Sequence, residues 1–139
     1  MKLSTKVIEF TREDLVNLLS LITSDIHNYG LELDYDNRSE KYRTSYEYHK
    51  GVVLTRKPEE QICYEDVLAE LVYSENLFVL DFNDDNDDRP RYKLTYELIT
   101  NGIAIGIQNG WVNADMNEWD ADDGMNVLQC ALFGDIIYG

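Results

Sequence analysis

The sequence predicts a single α+β domain in which a small antiparallel sheet packs with three or four helices. A length of 139 residues fits one ordinary domain, spanning residues 1–139. A hydrophobic fraction of 44% is enough to bury a core. Segments whose apolar residues repeat at helical spacing are separated by shorter segments rich in β-branched and aromatic residues, so both element types are expected in one fold.

The first helix is predicted in FTREDLVNLLSLITSDI, residues 10–26. Thr11 is a suitable N-cap, and Asp14 stands three residues later, where an acidic side chain stabilises the first turn. Gly30 or Asn28 can end the helix in a left-handed cap. Apolar residues that repeat along one face are Leu15, Leu18, Leu19, Ile22 and Ile26.

Two later helices are predicted from similar sequence patterns. One runs from about Tyr64 to Ser74 and carries an apolar stripe. A final helix begins near Asp120, with Asp122 and Asp123 in its first turn, where negative charge interacts favourably with the helix dipole.

Residues 96–109 are compatible with two structures. A helix capped by Thr95 would bury a stripe that includes Ile99 and Ile103, but three isoleucines also alternate as they would in a strand: Ile103, Ile105 and Ile107. Gly102 and Gly106 weaken both alternatives. We favour the helix.

The β-structure is predicted in a weak N-terminal strand and two hairpins. Residues 1–10 alternate weakly and predict the first strand, whereas the polar residues 31–40 predict a loop. KYRTSYEYHKGVVLTR alternates and is rich in Tyr, Thr and Val, which predicts a hairpin of about 41–48 and 52–56 with Gly51 at its bend.

The second hairpin carries the densest run of acids. NLFVLDF, residues 76–82, predicts a strand, and RYKLT, residues 91–95, predicts the returning strand. The stretch DFNDDNDDRP, residues 81–90, holds five aspartates. We expect these acids to form a solvated or partner-facing loop.

The motifs of metal-binding and catalytic sites are missing from the sequence. An EF-hand loop needs Gly at position 6 and Glu at position 12, but a loop starting at Asp81 has Asn86 and Tyr92 there. His27 and His49 stand in no recognisable motif, and no phosphate-binding glycine motif is present. We expect no catalytic residue, no metal and no cofactor.

The two cysteines and the absence of targeting signals predict a cytoplasmic protein. Cys63 and Cys130 are far apart and form no C-x-x-C pair, which fits reduced thiols. Cys130 lies in the apolar stripe of the final helix and is expected to be buried. No apolar run reaches membrane-spanning length, and residues 1–10 lack the features of a signal peptide.

The negative charge is concentrated in the C-terminal half. Residues 1–60 contain nine Lys/Arg and eleven Asp/Glu, a balance of −2, whereas residues 61–139 contain three and sixteen, a balance of −13. No basic residue follows Lys93. Such a chain repels nucleic acid and anionic membranes, and it either attracts a basic protein or serves solubility alone.

One segment opposes this acidic character. Basic side chains are interleaved with tyrosines in residues 38–57, namely Arg38, Lys41, Arg43, Lys50, Arg56 and Lys57 with Tyr42, Tyr46 and Tyr48. Such a pattern forms either a stacking groove for single strands or a charged face that complements the acidic half. The overall charge favours the second interpretation, so we expect no direct binding of nucleic acid.

The two ends of the chain resemble a family of small acidic proteins. FTREDL, residues 10–15, and ALFGDIIYG, residues 131–139, are similar to the opening and closing phrases of mostly uncharacterised proteins from phages and mobile elements of Gram-positive bacteria. The resemblance implies a setting in which small acidic proteins frequently inhibit host defence, as anti-CRISPR proteins do.

These observations favour a non-enzymatic inhibitor whose carboxylates take the place of phosphates on a basic partner, such as a bacterial defence nuclease. The alternatives are an immunity protein that neutralises a basic toxin, and an enzyme with an unrecognised active site. Trp111 and Trp119 flank the acidic region and are either interface anchors or core residues. The candidate acids are Asp81, Asp84, Asp85, Asp87, Asp88, Asp115, Glu118, Asp120, Asp122 and Asp123.

Overall fold

The computed structural model describes residues 9–35, 45–83 and 90–139. Within these ranges, five α-helices pack with one three-stranded antiparallel sheet, which confirms the predicted α+β class. The elements are α1 (Arg12–Asp25), β1 (Leu31–Asp34), α2 (Ser45–Leu54), α3 (Tyr64–Tyr73), β2 (Phe78–Asp81), β3 (Arg91–Lys93), α4 (Tyr96–Gln108) and α5 (Ala121–Phe133). Short 3₁₀ turns cover Ile26–Tyr29, Glu59–Gln61 and Met116–Glu118.

Helix α1 begins at the predicted N-cap, but it ends at Asp25, and the left-handed Gly30 closes a separate 3₁₀ turn. The Thr11 hydroxyl accepts a hydrogen bond from the Asp14 backbone N–H at 3.1 Å, and the Asp14 carboxylate accepts one from the Thr11 N–H at 2.9 Å. This reciprocal cap satisfies two N–H groups that the helix itself leaves unpaired. The apolar stripe of α1 is buried against α3 and α5, and Gly30, with φ of 70°, closes the following 3₁₀ turn.

The hairpin predicted at 41–48 and 52–56 is wrong, because residues 45–54 form helix α2. Tyr46, His49 and Val53 recur at helical spacing, and burial of this stripe against α3 outweighs the strand-like alternation of the sequence. This helix raises the helix count from the expected three or four to five. Residues 41–44 lie outside the described residues.

The loop predicted at 31–40 is wrong for its first four residues, which form strand β1. Leu31 is fully covered, and Leu33 packs against the same core, so the alternation of β1 fits a half-buried strand. The remaining residues 36–40, like residues 1–8 of the predicted N-terminal strand, lie outside the described residues.

The sheet has the strand order β1-β2-β3 and places β2 at its centre. Val79 lies opposite Leu33 on one side and Tyr92 on the other, on the face that packs against the helices. On the other face, the Arg91 Nε donates to Asp34 at 2.7 Å, and its guanidinium lies 3.5 Å from the centre of the Phe78 ring. The predicted hairpin of 76–82 and 91–95 is thereby confirmed.

Helices α4 and α5 pack closely, and the helices predicted for residues 96–109 and from about Asp120 are both confirmed. Residues 96–108 are helical, with Thr95 as N-cap, and α5 starts after Asp120. Gly102 allows the close approach, because a Cβ at this position would lie 2.6 Å from the backbone N of Ala131. Cys130 is buried as expected.

In the described parts of the chain, no helix combines the length and apolarity needed to cross a bilayer.

Candidate interaction surface

The loop between α4 and α5, together with the first turn of α5, forms an acidic surface. We define it by four exposed side chains: Asp115, Glu118, Asp120 and Asp122. From residue 94 to the C-terminus the chain carries seven acids and no Lys or Arg. The negative charge of this surface is therefore not offset by basic residues on the same segment.

Backbone hydrogen bonds hold several of these acids in place. Asp120 and Asp123 form a reciprocal cap at the start of α5, with the Asp120 carboxylate accepting from the Asp123 N–H at 2.9 Å. Asp123, which is half-buried, also accepts from the Asn113 N–H at 3.1 Å. Asp115 accepts from the Asn117 N–H at 3.0 Å. These bonds fix the loop, and they give three of the candidate acids, Asp115, Asp120 and Asp123, a local structural role.

The end of α1 adds to the same negative region. Burial and the nearby carboxylates of Asp122, Asp25 and Asp120 raise the pKa of Tyr29, in that order of effect. Acids from two elements that are distant in sequence thus lie around one tyrosine. The fold therefore gathers negative charge beyond what the α4–α5 loop alone provides.

The two tryptophans occupy different environments. Trp111 is 36% exposed, and its carbonyl accepts a hydrogen bond from the Asn126 side chain at 2.8 Å. Trp119 is half-buried and packs against the core, and its Nε1 donates to the Asn113 carbonyl at 2.7 Å. Trp111 is therefore exposed in the segment that leads into the acidic surface, whereas Trp119 partly serves the core.

Asp81 is a structural residue and does not belong to the acidic surface. It is only 3% exposed, on the core-facing side of β2. Its carboxylate accepts from the Tyr138 hydroxyl at 2.6 Å and from the Asn83 N–H at 2.9 Å. The bond to Asp81 raises the pKa of Tyr138 to about 12. The other acids of this hairpin, Asp84, Asp85, Asp87 and Asp88, lie outside the described residues.

The C-terminal tail is anchored by residues that the sequence did not mark as important. Gln129 is buried within α5, and its side-chain oxygen accepts hydrogen bonds from the Ile137 and Tyr138 backbone N–H groups at 3.0 and 2.7 Å. Together with the bond from Tyr138 to Asp81, this ties the tail to both α5 and β2. The sequence feature that could have indicated this anchoring role is a glutamine in the middle of an apolar helical stripe.

The described arginines and two of the described lysines, Lys50 and Lys57, form ion pairs with acids outside the acidic surface. Arg12 and Arg56 both pair with Glu70, which is 8% exposed on α3. Three further ion pairs join Lys57 to Asp66, Lys50 to Glu59 and Arg91 to Asp34. Positive charge from residues 50–57 thus complements acids of the same fold, as one of the two sequence interpretations expected. Arg38, Lys41 and Arg43 lie outside the described residues.

His49 and Cys63, which lie outside the acidic surface, take part in local hydrogen bonds. No group of three or more His, Cys, Asp or Glu residues in the described ranges is arranged to hold a metal ion. His49 is buried, with its Nε2 2.8 Å from the Ser74 hydroxyl, which itself donates to the Leu71 carbonyl at the end of α3. Burial and the neighbouring Asp66 raise the pKa of the Cys63 thiol, which keeps it in its less reactive protonated form.

A comparison of the chain with protein-family models, curated proteins and solved structures found no match.

Proposed function

We propose that this protein is a non-enzymatic acidic inhibitor, of the anti-CRISPR or another anti-defence type, acting in the cytoplasm of a bacterial host cell. It binds a basic surface of a nucleic-acid-binding protein, such as a defence nuclease, and blocks access of the nucleic acid. The observation that carries this proposal is the acidic surface: four exposed carboxylates stand on a segment that contains no cation.

The electrostatics of the molecule favour such a partner. The described arginines, and two of the described lysines, pair with acids on α3, β1 or the turn before α3, so these cations do not screen the acidic surface. With a net charge of −15, the chain attracts a basic surface over long range. Steering of this kind accelerates association by roughly 10- to 1,000-fold at low salt.

The arrangement of the surface also suits occupation of a phosphate-binding channel. Caps at Asp120 and Asp115 hold the loop rigidly, so little conformational entropy is lost when a partner binds. Trp111, which is exposed four residues before Asp115 in the chain, offers the kind of aromatic contact that often anchors interface centres.

Charge reversal tests this proposal. Glu118→Lys with Asp122→Lys changes the acidic surface without removing a capping pair, and Glu9→Lys with Glu60→Lys makes the same change of net charge at exposed sites outside it. The partner is first captured from a bacterial lysate on the immobilised protein and identified by mass spectrometry. Its association rate is then measured with each variant by surface plasmon resonance at low and physiological salt.

We expect the Glu118/Asp122 pair to slow association by on the order of tenfold at low salt, and the Glu9/Glu60 pair to change it by about twofold or less. Raising the salt should reduce the difference between the two pairs, because the Debye length falls to about 8 Å at physiological ionic strength. Equal effects of the two pairs would show that the acidic surface is only a solubilising face.

A basic toxin would fit the same surface, which makes an immunity protein the second candidate. The identity of the captured partner separates the two: a nuclease with a defence role supports the inhibitor, whereas a secreted or delivered toxin supports the immunity protein.

A further inference from the structure

A groove lies between α1 and the loop that precedes α5. Its volume is about 350 Å³, at the small end of the range for ligand pockets. One wall comes from α1 and includes Asp14, Ser20 and Leu21, and the other comes from Met116 and Trp119. Met116 and Trp119 both pack against the hydrophobic core from this side.

The lining of the groove combines apolar and acidic chemistry. Leu21, Met116 and Trp119 provide apolar surface, and Asp14 provides a carboxylate. In addition, Asp115, Glu118 and Asp120 of the acidic surface are each direct chain neighbours of Met116, Asn117 or Trp119, which line the groove. The described lining residues include no lysine, arginine or histidine.

These properties favour one kind of occupant. A negatively charged group would be repelled by the surrounding carboxylates, and a purely apolar group would gain nothing from their charge. A long cationic side chain satisfies both requirements, because its methylene stem packs on apolar surface while its charged head remains among the acids. Arginine fits better than lysine, since its planar guanidinium also stacks on an indole face.

We propose that the groove receives an arginine side chain of the basic partner, an inference that rests on the proposed function and specifies how the partner is recognised. The hydrogen bond from the Trp119 Nε1 to the Asn113 carbonyl fixes the indole ring before binding, so the groove is preorganised. Trp119 therefore contributes an aromatic wall of the groove, and the acidic surface contributes its charge.

Fluorescence of Trp119 tests this directly. Trp111→Phe leaves Trp119 as the single tryptophan, and a six-residue arginine peptide serves as the probe, with six-residue lysine and glutamate peptides for comparison. Ser20→Lys places a cation at the groove wall, where it competes with the probe. Ser24→Lys is the matched control, because it adds the same charge at an exposed site one turn further along α1 that does not line the groove.

We expect the arginine peptide to change Trp119 emission saturably, with a dissociation constant raised at least about fivefold by Ser20→Lys and changed less than about twofold by Ser24→Lys. The lysine peptide should bind more weakly and the glutamate peptide not at all. An unchanged Trp119 emission, or equal effects of the two lysine variants, would overturn the groove assignment.

The same two variants separate this inference from the proposed function. If the captured partner still responds to reversal of Glu118 and Asp122 but binds Ser20→Lys and Ser24→Lys equally, the acidic inhibitor stands and the arginine groove is wrong. If the groove variants matter for the arginine peptide while the reversals leave partner binding unchanged, the proposed function is wrong.

Discussion

Replacing Gly102 with alanine should destabilise the protein, although the same substitution stabilises most helices. Gly102 lies where α4 meets α5, and a Cβ there would come within 2.6 Å of the Ala131 N and 2.8 Å of the Val127 O. Ordinary contact begins at 3.4 Å, so the two helices would have to separate by about 0.8 Å. Both neighbours are backbone atoms, and no side-chain rotation can relieve the clash.

The expected magnitude follows from two opposing terms. Alanine gains up to about 1 kcal/mol of helix propensity over glycine. Inserting a methyl group into a closely packed interface costs about 1–3 kcal/mol, occasionally more, and the upper part of this range applies where the backbone must move. We therefore expect a net loss of about 2 kcal/mol in the free energy of unfolding, which corresponds to a fall in Tm of roughly 6 °C for a chain of this size.

Gly51 supplies the matched control. It lies in α2, and a Cβ there would meet nothing within 4 Å, so Gly51→Ala should stabilise the protein by about 0.5–1 kcal/mol. Urea denaturation followed by circular dichroism at 222 nm measures both variants against the parent protein. A Gly102→Ala protein as stable as the parent, alongside a stabilised Gly51→Ala protein, would refute the close packing of α4 on α5.

Three further predictions concern the core, the tail and metal binding. Tyr138→Phe should lower the free energy of unfolding by about 1–3 kcal/mol at pH 8, because the buried Asp81 carboxylate loses the hydrogen bond that the Tyr138 hydroxyl donates. The fold raises the pKa of Tyr138 from 10.0 to about 12, so the extra stability of the parent over Tyr138→Phe is fully present below pH 10 and should be lost as the pH rises towards 12. Urea denaturation of both proteins measures this, and a stability difference that stays constant between pH 10 and pH 12 would contradict it. Leu128→Ala should cost about 2–5 kcal/mol, whereas Cys130→Ser should fold, with reduced stability and unchanged partner binding; loss of binding in a well-folded Cys130→Ser protein would indicate a working thiol. Calorimetric titration with calcium, magnesium and manganese should reveal no site tighter than roughly millimolar, and stoichiometric micromolar binding would contradict the view of the hairpin acids as a solvated or partner-facing loop.

The elements that sequence reasoning located well are those with local signals. Helices α1 and α5 each begin with a reciprocal cap, at Thr11 and Asp120, followed by an apolar stripe. Both signals lie within one short segment, and each persists in the fold because burial and capping agree. The hairpin of β2 and β3 was found for the same reason, since its two strands are close in sequence.

The elements that sequence reasoning missed depend on distant partners. Residues 45–54 alternate as a strand would and also repeat as a helix would, and contact with α3 decides between the two. Strand β1 is four residues long, and its partner β2 lies more than forty residues away. The sequence of either segment alone therefore does not decide between helix and strand for residues 45–54, or between strand and loop for β1.

The candidate site was predicted in part. Asp115, Glu118, Asp120 and Asp122 are exposed as a surface role requires. Asp81 is buried, because it occupies a core-facing position of β2 and meets Tyr138 from the other end of the chain. The groove beside Trp119 exists only through the packing of α1 on the loop before α5, and no local pattern encodes such a contact.

If this protein and a nucleic acid compete for one basic surface of the partner, a displacement assay will show it. The captured partner is bound to its own fluorescently labelled nucleic acid, and the parent protein is added while fluorescence anisotropy is recorded. We predict that the anisotropy falls to the value of the free nucleic acid, and that Glu118→Lys with Asp122→Lys shifts the midpoint to higher concentration. A complex in which the partner holds both the labelled nucleic acid and this protein, with anisotropy unchanged or increased at saturation, would contradict the account.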